Sequence, residues 1–382
     1  MEKRILRTFD WPLLLTGLLI PLLGLGVLYS AGYNPDNNLR MLFGLIDSPA
    51  SPAFSKQATF LLLSLVVMAF AMALPPTFLH RVSYVLYGGG VILLILVLLF
   101  GTVVNGSRRW LDLGAFNLQP AELMKIGAIM ALARYISKYP PSNDGYSFTQ
   151  VLLPLSIVLV PMALIMRQPD LGTALVIGGV GALMILFVGV ELKVLVSGVV
   201  LAVAAAVPAW MFLLHDYQRR RVLTLFDPAA DPQGSGYHIL QSIIAVGSGS
   251  FAGKGYLQGT QSQLAFLPEH TTDFIFSVLA EEWGFIGCAS VLILYAFLLY
   301  RILRVAAKSK DLYSSMMVTG IASLLFVHAV VNVGMVIGLL PVVGIPLKLF
   351  SYGGSSLVST FFCLGLVLGV SMRRFQYLRG AR

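Results

Sequence analysis

Long apolar runs limit what this chain can fold into more than any other feature of it. A helix needs about 20 apolar residues to cross the hydrocarbon of a bilayer. Ten stretches meet or approach that length: 11–32, 57–74, 82–104, 119–136, 149–166, 171–190, 194–215, 274–300, 314–340 and 355–372. The fourth is the least apolar, because it carries Glu122, Lys125 and Arg134. The first has no small-residue cleavage site and reads as an uncleaved anchor. Composition agrees: 57% of residues are hydrophobic and 11% charged, against about 45–50% and about 25% in soluble domains. An ordinary soluble globule is excluded, and so is a disordered chain, which is poor in apolar residues. Cys288 and Cys363 both lie in apolar runs and make neither a disulfide framework nor a metal cluster. The expectation is an all-α polytopic integral membrane protein, a single transmembrane domain over residues 1–382 with about ten transmembrane helices.

The net charge of +9 is then a question of topology before it is one of nucleic acid. With both termini inside, fifteen Lys and Arg fall on the inner face and six on the short outer loops. That fits the positive-inside rule and leaves no call for a nucleic-acid partner. The termini are expected to be cytoplasmic and the long loop, residues 216–272, extracytoplasmic. A loop this long without function is uncommon. Within it, residues 237–246 are apolar but too few to span, and read as re-entrant or interfacial. There is no room for a separate soluble domain, and no internal repeat.

Ionisable groups inside spans cost at least about 2.5–3.5 kcal/mol, so by default they mark function. Glu122 and Lys125 share a helix face and can pair, which either anchors the fourth helix or shapes a site. Asp170 suits an N-cap of the sixth helix. Asp273 opens the eighth segment after a polar cluster that includes Glu269 and His270. The run that follows would be about 40 Å long as a helix, against a hydrocarbon core of about 30 Å. Its start can therefore protrude into a water-filled cavity, where a carboxylate can act as a general base. Glu281 and Glu282 cannot both face one cavity with Asp273, so at least one is expected to be paired internally. His328 reads as a satisfied core histidine. Arg219, Arg220, Arg221 and Lys254, with Arg108 and Arg109, gather cations where the inside rule disfavours them. A phosphate-bearing lipid accounts for this as well as anionic headgroups do. The glycines from Gly247 to Gly255 miss the phosphate-loop spacing, and no nucleotide cofactor is expected.

Seven motifs in order carry a resemblance to one family. They are Arg109-Trp110-Leu111-Asp112-Leu113-Gly114, Gln119-Pro120-Ala121-Glu122-Leu123-Met124-Lys125 and Gln168-Pro169-Asp170-Leu171-Gly172-Thr173. Next come Asp227-Pro228 with Asp231-Pro232 and Gly236-Tyr237-His238, and Gly259-Thr260-Gln261-Ser262-Gln263-Leu264. Thr272-Asp273-Phe274-Ile275-Phe276 and Phe350-Ser351-Tyr352-Gly353-Gly354-Ser355-Ser356 complete the set. The chain resembles the SEDS proteins (shape, elongation, division and sporulation) across nearly its whole length. The Gly-Tyr-His and Gly-Thr-Gln-Ser-Gln-Leu stretches resemble the elongation branch more than the division paralogue FtsW.

The resemblance implies a peptidoglycan glycosyltransferase that polymerises lipid II on the outer face of the bacterial inner membrane. It implies a partner too, a class B penicillin-binding protein (a PBP2-type transpeptidase), within the elongation complex. The family's essential aspartate falls on Asp273, its important Glu and Lys on Glu122 and Lys125, and a further Asp on Asp170. Lys348 stands where the family often has proline or an apolar residue. Arg109, Arg219 and Lys254 are candidates for substrate binding. A divalent ion, Mg or Mn, near the carboxylates would neutralise a diphosphate leaving group. A lipid II flippase is the rival reading, since intramembrane charges suit a transport path equally well; a non-catalytic scaffold is a third.

Overall fold

The computed structural model describes residues 9–33, 39–41, 46–48, 51–104, 107–112, 117–214, 216–228, 231, 234–264, 266–267 and 269–373. Lys3, Arg4, Arg7, Arg374, Arg379 and Arg382, part of the inner charge count, lie outside the described residues, as do Leu113, Gly114, His215, Pro232 and Pro268.

Each apolar run is a helix: α1 Trp11–Ala31, α2 Pro52–Ala73, α3 Pro76–Phe100, α4 Pro120–Lys138, α5 Phe148–Met166, α6 Leu171–Val188 and α7 Leu192–Pro208, which continues through a π turn, Ala209–Leu213. Then come α8 Asp216–Phe226, α9 Ser235–Ser248, α10 Thr260–Gln263, α11 Ile275–Ala307, α12 Leu312–Val336 and α13 Gly354–Arg373. Strands β1 Leu39–Met41 and β2 Ile46–Ser48 pair with each other, and β3 Thr102–Val104, β4 Ser107–Asp112 and β5 Asn117–Leu118 form a small antiparallel sheet before α4. Local chemistry starts the helices. Asp10 accepts from Leu13 N at 3.1 Å, Ser147 and Gln150 make a capping box on α5, and Pro120 opens α4.

Among the described residues nine helices are long and apolar enough to cross a membrane, so the chain is a multi-pass membrane protein. The tenth expected segment is α4, whose charges keep it off that set. It is also one of the most enclosed: 15 of its 19 residues are buried. Its small residues let neighbours close in, with Leu86 O 3.3 Å from where a Cβ on Gly127 would sit. A helix sheathed in protein rather than lipid can carry Glu122 and Lys125.

The chain groups into two compact units. The first comprises Met1–Ala73, Arg221–Ile302 and His328–Leu368; the second comprises Leu74–Arg220, Leu303–Val327 and Gly369–Arg382.

Within the first unit the eighth segment is not the continuous rod its hydropathy predicts. Helix α11 breaks at Gly284, with φ 63° and ψ −159°. The break strands backbone groups, and the loop after α9 takes them up. Lys254 N and Gly255 N donate to the carbonyls of Glu281 and Glu282 at 2.9 and 3.0 Å. Phe285 N and Ile286 N donate back to Ser250 O and Phe251 O at 3.0 and 3.2 Å. The glycine-rich stretch exists for this contact. A Cβ on Gly253 would lie 2.1 Å from Glu282 O, and one on Gly284 2.4 Å from Gly253 N.

The apolar stretch 237–246 lies in α9, with Ile239, Ser242 and Ala245 buried. Ser242 Oγ donates to Val336 O at 2.7 Å and lies 2.8 Å from Ser277 Oγ.

Candidate active site

Asp273 stands just before α11, half-buried, with Phe274 and the first two turns of the helix buried behind it. Its backbone carbonyl accepts a hydrogen bond of 2.8 Å from the side-chain amide of Asn332, which is fully buried in α12. The same nitrogen donates to Ile345 O at 2.7 Å.

Ile345 belongs to an irregular strap, residues 341–348, between α12 and α13. Buried carbonyls outside regular structure need partners, and side chains supply them. Arg221 donates to Val342 O at 3.1 Å and His328 Nδ1 bonds Pro346 O at 3.2 Å. Tyr295 Oη donates to Lys348 O. His328 is thus bonded in the core, as expected, and Lys348 is fully buried rather than on an open loop. Gly344, with φ 72°, brings the strap against the carboxylate: a Cβ there would lie 3.4 Å from Asp273 Oδ2.

The His238 ring stacks on Phe274, the residue after Asp273, at 6.1 Å between centroids and 20° between planes. Burial holds this imidazole below its ordinary range, against Glu269 and Asp231, which raise it, while Arg221 lowers it further. His270 Nδ1 bonds Leu267 O at 2.8 Å.

Both carboxylates at the break of α11 are internal. Glu281 Oε1 receives Lys254 Nζ at 2.6 Å, Thr260 N and Oγ1 at 2.9 Å each, and Gln261 N at 3.1 Å. Glu282 Oε1 accepts from Ser30 Oγ. Lys254, expected to meet phosphate, therefore ties the loop to α11.

The second unit holds the other expected site residues. Lys125 Nζ and Glu122 Oε1 meet at 2.7 Å, both buried. A cavity of about 10 Å³ beside Lys125, room for about one water, is otherwise lined by apolar side chains such as Ile129, Val158 and Met184. Asp170 caps α6, accepting Thr173 N at 3.1 Å and Thr173 Oγ1 at 2.9 Å. Arg109 on β4 reaches the same place, its Nε 3.6 Å from Asp170 Oδ2 and its terminal nitrogen 2.9 Å from Pro169 O. Arg219 closes the π turn after α7, donating to Trp210 O at 2.9 Å and Met211 O at 2.8 Å.

Sequence reasoning missed Asn332 and Gly344 as neighbours of Asp273, His238 as the ring stacked on Phe274, and Arg221 as a donor to the strap. A lone amide deep in the apolar run 314–340 was the available signal for Asn332. Among the described residues no group of three His, Cys, Asp or Glu could hold a metal ion.

Membrane-length helices, one of them broken and headed by a half-buried carboxylate, define a polytopic membrane protein with a built polar site. A family model described as "Cell cycle protein", for FtsW, RodA and SpoVE, matches residues 11–376, and the chain belongs to that family. It is 44% identical over 317 residues to "Peptidoglycan glycosyltransferase MrdB" of Escherichia coli (strain K12), covering 82% of this chain and 84% of that one. A solved chain from "Structural coordination of polymerization and crosslinking by a peptidoglycan synthase complex" superposes with a TM-score of 0.79 at 34% identity, covering 96% of this chain and 99% of the other. Rod shape determining protein RodA of Thermus thermophilus does so with a TM-score of 0.67 at 31% identity, covering 96% and 98%.

Proposed function

We propose that this protein is a peptidoglycan glycosyltransferase that polymerises lipid II for cell elongation, with Asp273 as general base. The observation that carries the reading is Asp273 itself, a half-buried carboxylate at the head of a broken helix, in a chain that belongs to this family. The 4-hydroxyl of one lipid-linked sugar attacks the anomeric carbon of the growing glycan. Asp273 takes the hydroxyl proton as the new bond forms, and undecaprenyl diphosphate leaves from the opposite face, so configuration inverts. The diphosphate leaves as an anion, so charge neutralisation serves it better than a proton.

Glu122 with Lys125, and Arg109 with Asp170, are assigned as supports of the reaction rather than as proton carriers. Arg219 keeps a supporting role through the carbonyls it holds, and Lys254 through its bond to Glu281. A divalent cation, Mg or Mn, is a separate proposal. With no three-residue cluster for it among the described residues, it would ride on the substrate diphosphate and one carboxylate, as Mg commonly does. Chelation should then stop polymerisation, and added Mg or Mn should restore it.

The inner membrane is the proposed location, with both termini cytoplasmic, because fifteen inner cations face six outer ones in that orientation. The proposed partner is a class B penicillin-binding protein of the elongation complex, supported by the likeness to a chain of a peptidoglycan synthase complex. The relatives described favour elongation over the division paralogue FtsW.

Purified full-length protein, given labelled lipid II, should yield glycan polymer. Asp273→Asn should cut the rate by about 10²–10⁴-fold with folding intact. Polymerisation at the parent rate by that variant would refute the base assignment. Lipid II translocation in vesicles without any polymer would favour the flippase instead.

A further inference from the structure

We infer that Asn332 is a positioning residue for Asp273: its side-chain amide locks the head of α11 to the strap that faces the carboxylate. The inference rests on the assignment of Asp273 as general base.

An amide buried in an apolar helix is costly unless its hydrogen bonds are made. Asn332 spends its donors on two carbonyls from distant parts of the chain, Asp273 O at 2.8 Å and Ile345 O at 2.7 Å. Two acceptors also fix which way the amide points, because the flipped group would set oxygen against oxygen. Its Oδ1 is buried without a hydrogen-bond partner among the described atoms, so donation is what the group contributes.

The geometry gives that donation a consequence at the carboxylate. Ile345 follows Gly344, the residue whose left-handed backbone lets the strap come within contact of Asp273 Oδ2. One planar group therefore sets both the backbone from which the carboxylate hangs and the wall it faces. Tyr295 pins the strap further along, through Lys348 O. Asn332 does not touch substrate in this reading; it acts through Asp273.

A base held out of place slows the chemical step and leaves substrate binding alone, and a shift of about 1 Å can cost about 10²-fold. The test compares Asn332→Leu, which keeps volume and removes both donors, with Asn332→Ser, which keeps one. Both are made in the full-length protein, with Asp273→Asn as reference. Rates of lipid II polymerisation are expressed per folded molecule, counted by size-exclusion fluorescence.

The Leu variant should lose kcat by about 30-fold or more and the Ser variant by about 5–10-fold, with KM for lipid II within about twofold of the parent. If the Leu variant does not fold, the Ser variant decides. A kcat within twofold of the parent, or a loss confined to KM, overturns the inference. If Asp273→Asn is inactive while the Asn332 variants turn over normally, this inference alone fails. If Asp273→Asn polymerises at the parent rate, the base assignment fails first.

Discussion

Lys125 and Glu122 lie three residues apart on α4 and meet at 2.7 Å, whereas Lys254 and Glu281 lie 27 apart and meet at 2.6 Å. Both carboxylates are buried. The first pair joins two side chains of one helix, whose backbone bonds close without it. The second is structural, because the Glu281 carboxylate also receives the amides of Thr260 and Gln261 and the Thr260 hydroxyl. Two ion pairs of nearly equal length therefore differ in what collapses when they go.

Paired substitutions should expose that difference most strongly. Glu281→Leu with Lys254→Met leaves two backbone amides without an acceptor, and should cost about 3–5 kcal/mol even with both charges removed. In α4, Lys125→Met alone should cost about as much, since a buried carboxylate is left behind. Glu122→Leu with Lys125→Met should recover most of that loss, as buried pairs replaced by apolar residues often do. Thermal unfolding in detergent reads both; recovery in the loop pair, or none in α4, would erase the distinction.

A smaller effect is expected from Gly284→Ala, about 1–3 kcal/mol, from φ 63° and the 2.4 Å approach to Gly253 N. It should also free the loop 249–255, read as faster hydrogen exchange at Phe285 and Ile286. Unchanged exchange would mean that the loop does not depend on the break. The smallest is Asp170→Ala, which removes a local cap and should cost about 1 kcal/mol without disturbing that loop.

What was legible in the sequence was whatever depends on near neighbours along the chain. The pairing of Glu122 with Lys125 follows from helical spacing, and the capping by Asp170 from its place before an apolar run. Each appears in the structure at the residues named. The break at Gly284 was not legible, because hydropathy averages over a window and the run 274–300 stays apolar on average despite Glu281 and Glu282. Nor was the fate of Lys254 and Arg219. Their charge argued for phosphate, but each bonds groups whose positions the fold sets, Glu281 in one case and the carbonyls of Trp210 and Met211 in the other. His238 and Asn332 stayed unassigned for the same reason, since nothing local links the first to Phe274 or the second to Asp273.

By itself the sequence determined that this chain lives in a membrane, roughly where its helices run, and which scarce charges deserve notice. Burial of apolar length is additive along the chain, and so can be counted. Only the tertiary structure decided that one helix is broken, that a glycine-rich loop fills the break, and that Asn332 and Gly344 flank Asp273. Those outcomes turn on stranded backbone groups finding partners far away in sequence, and no local pattern records where such partners will be.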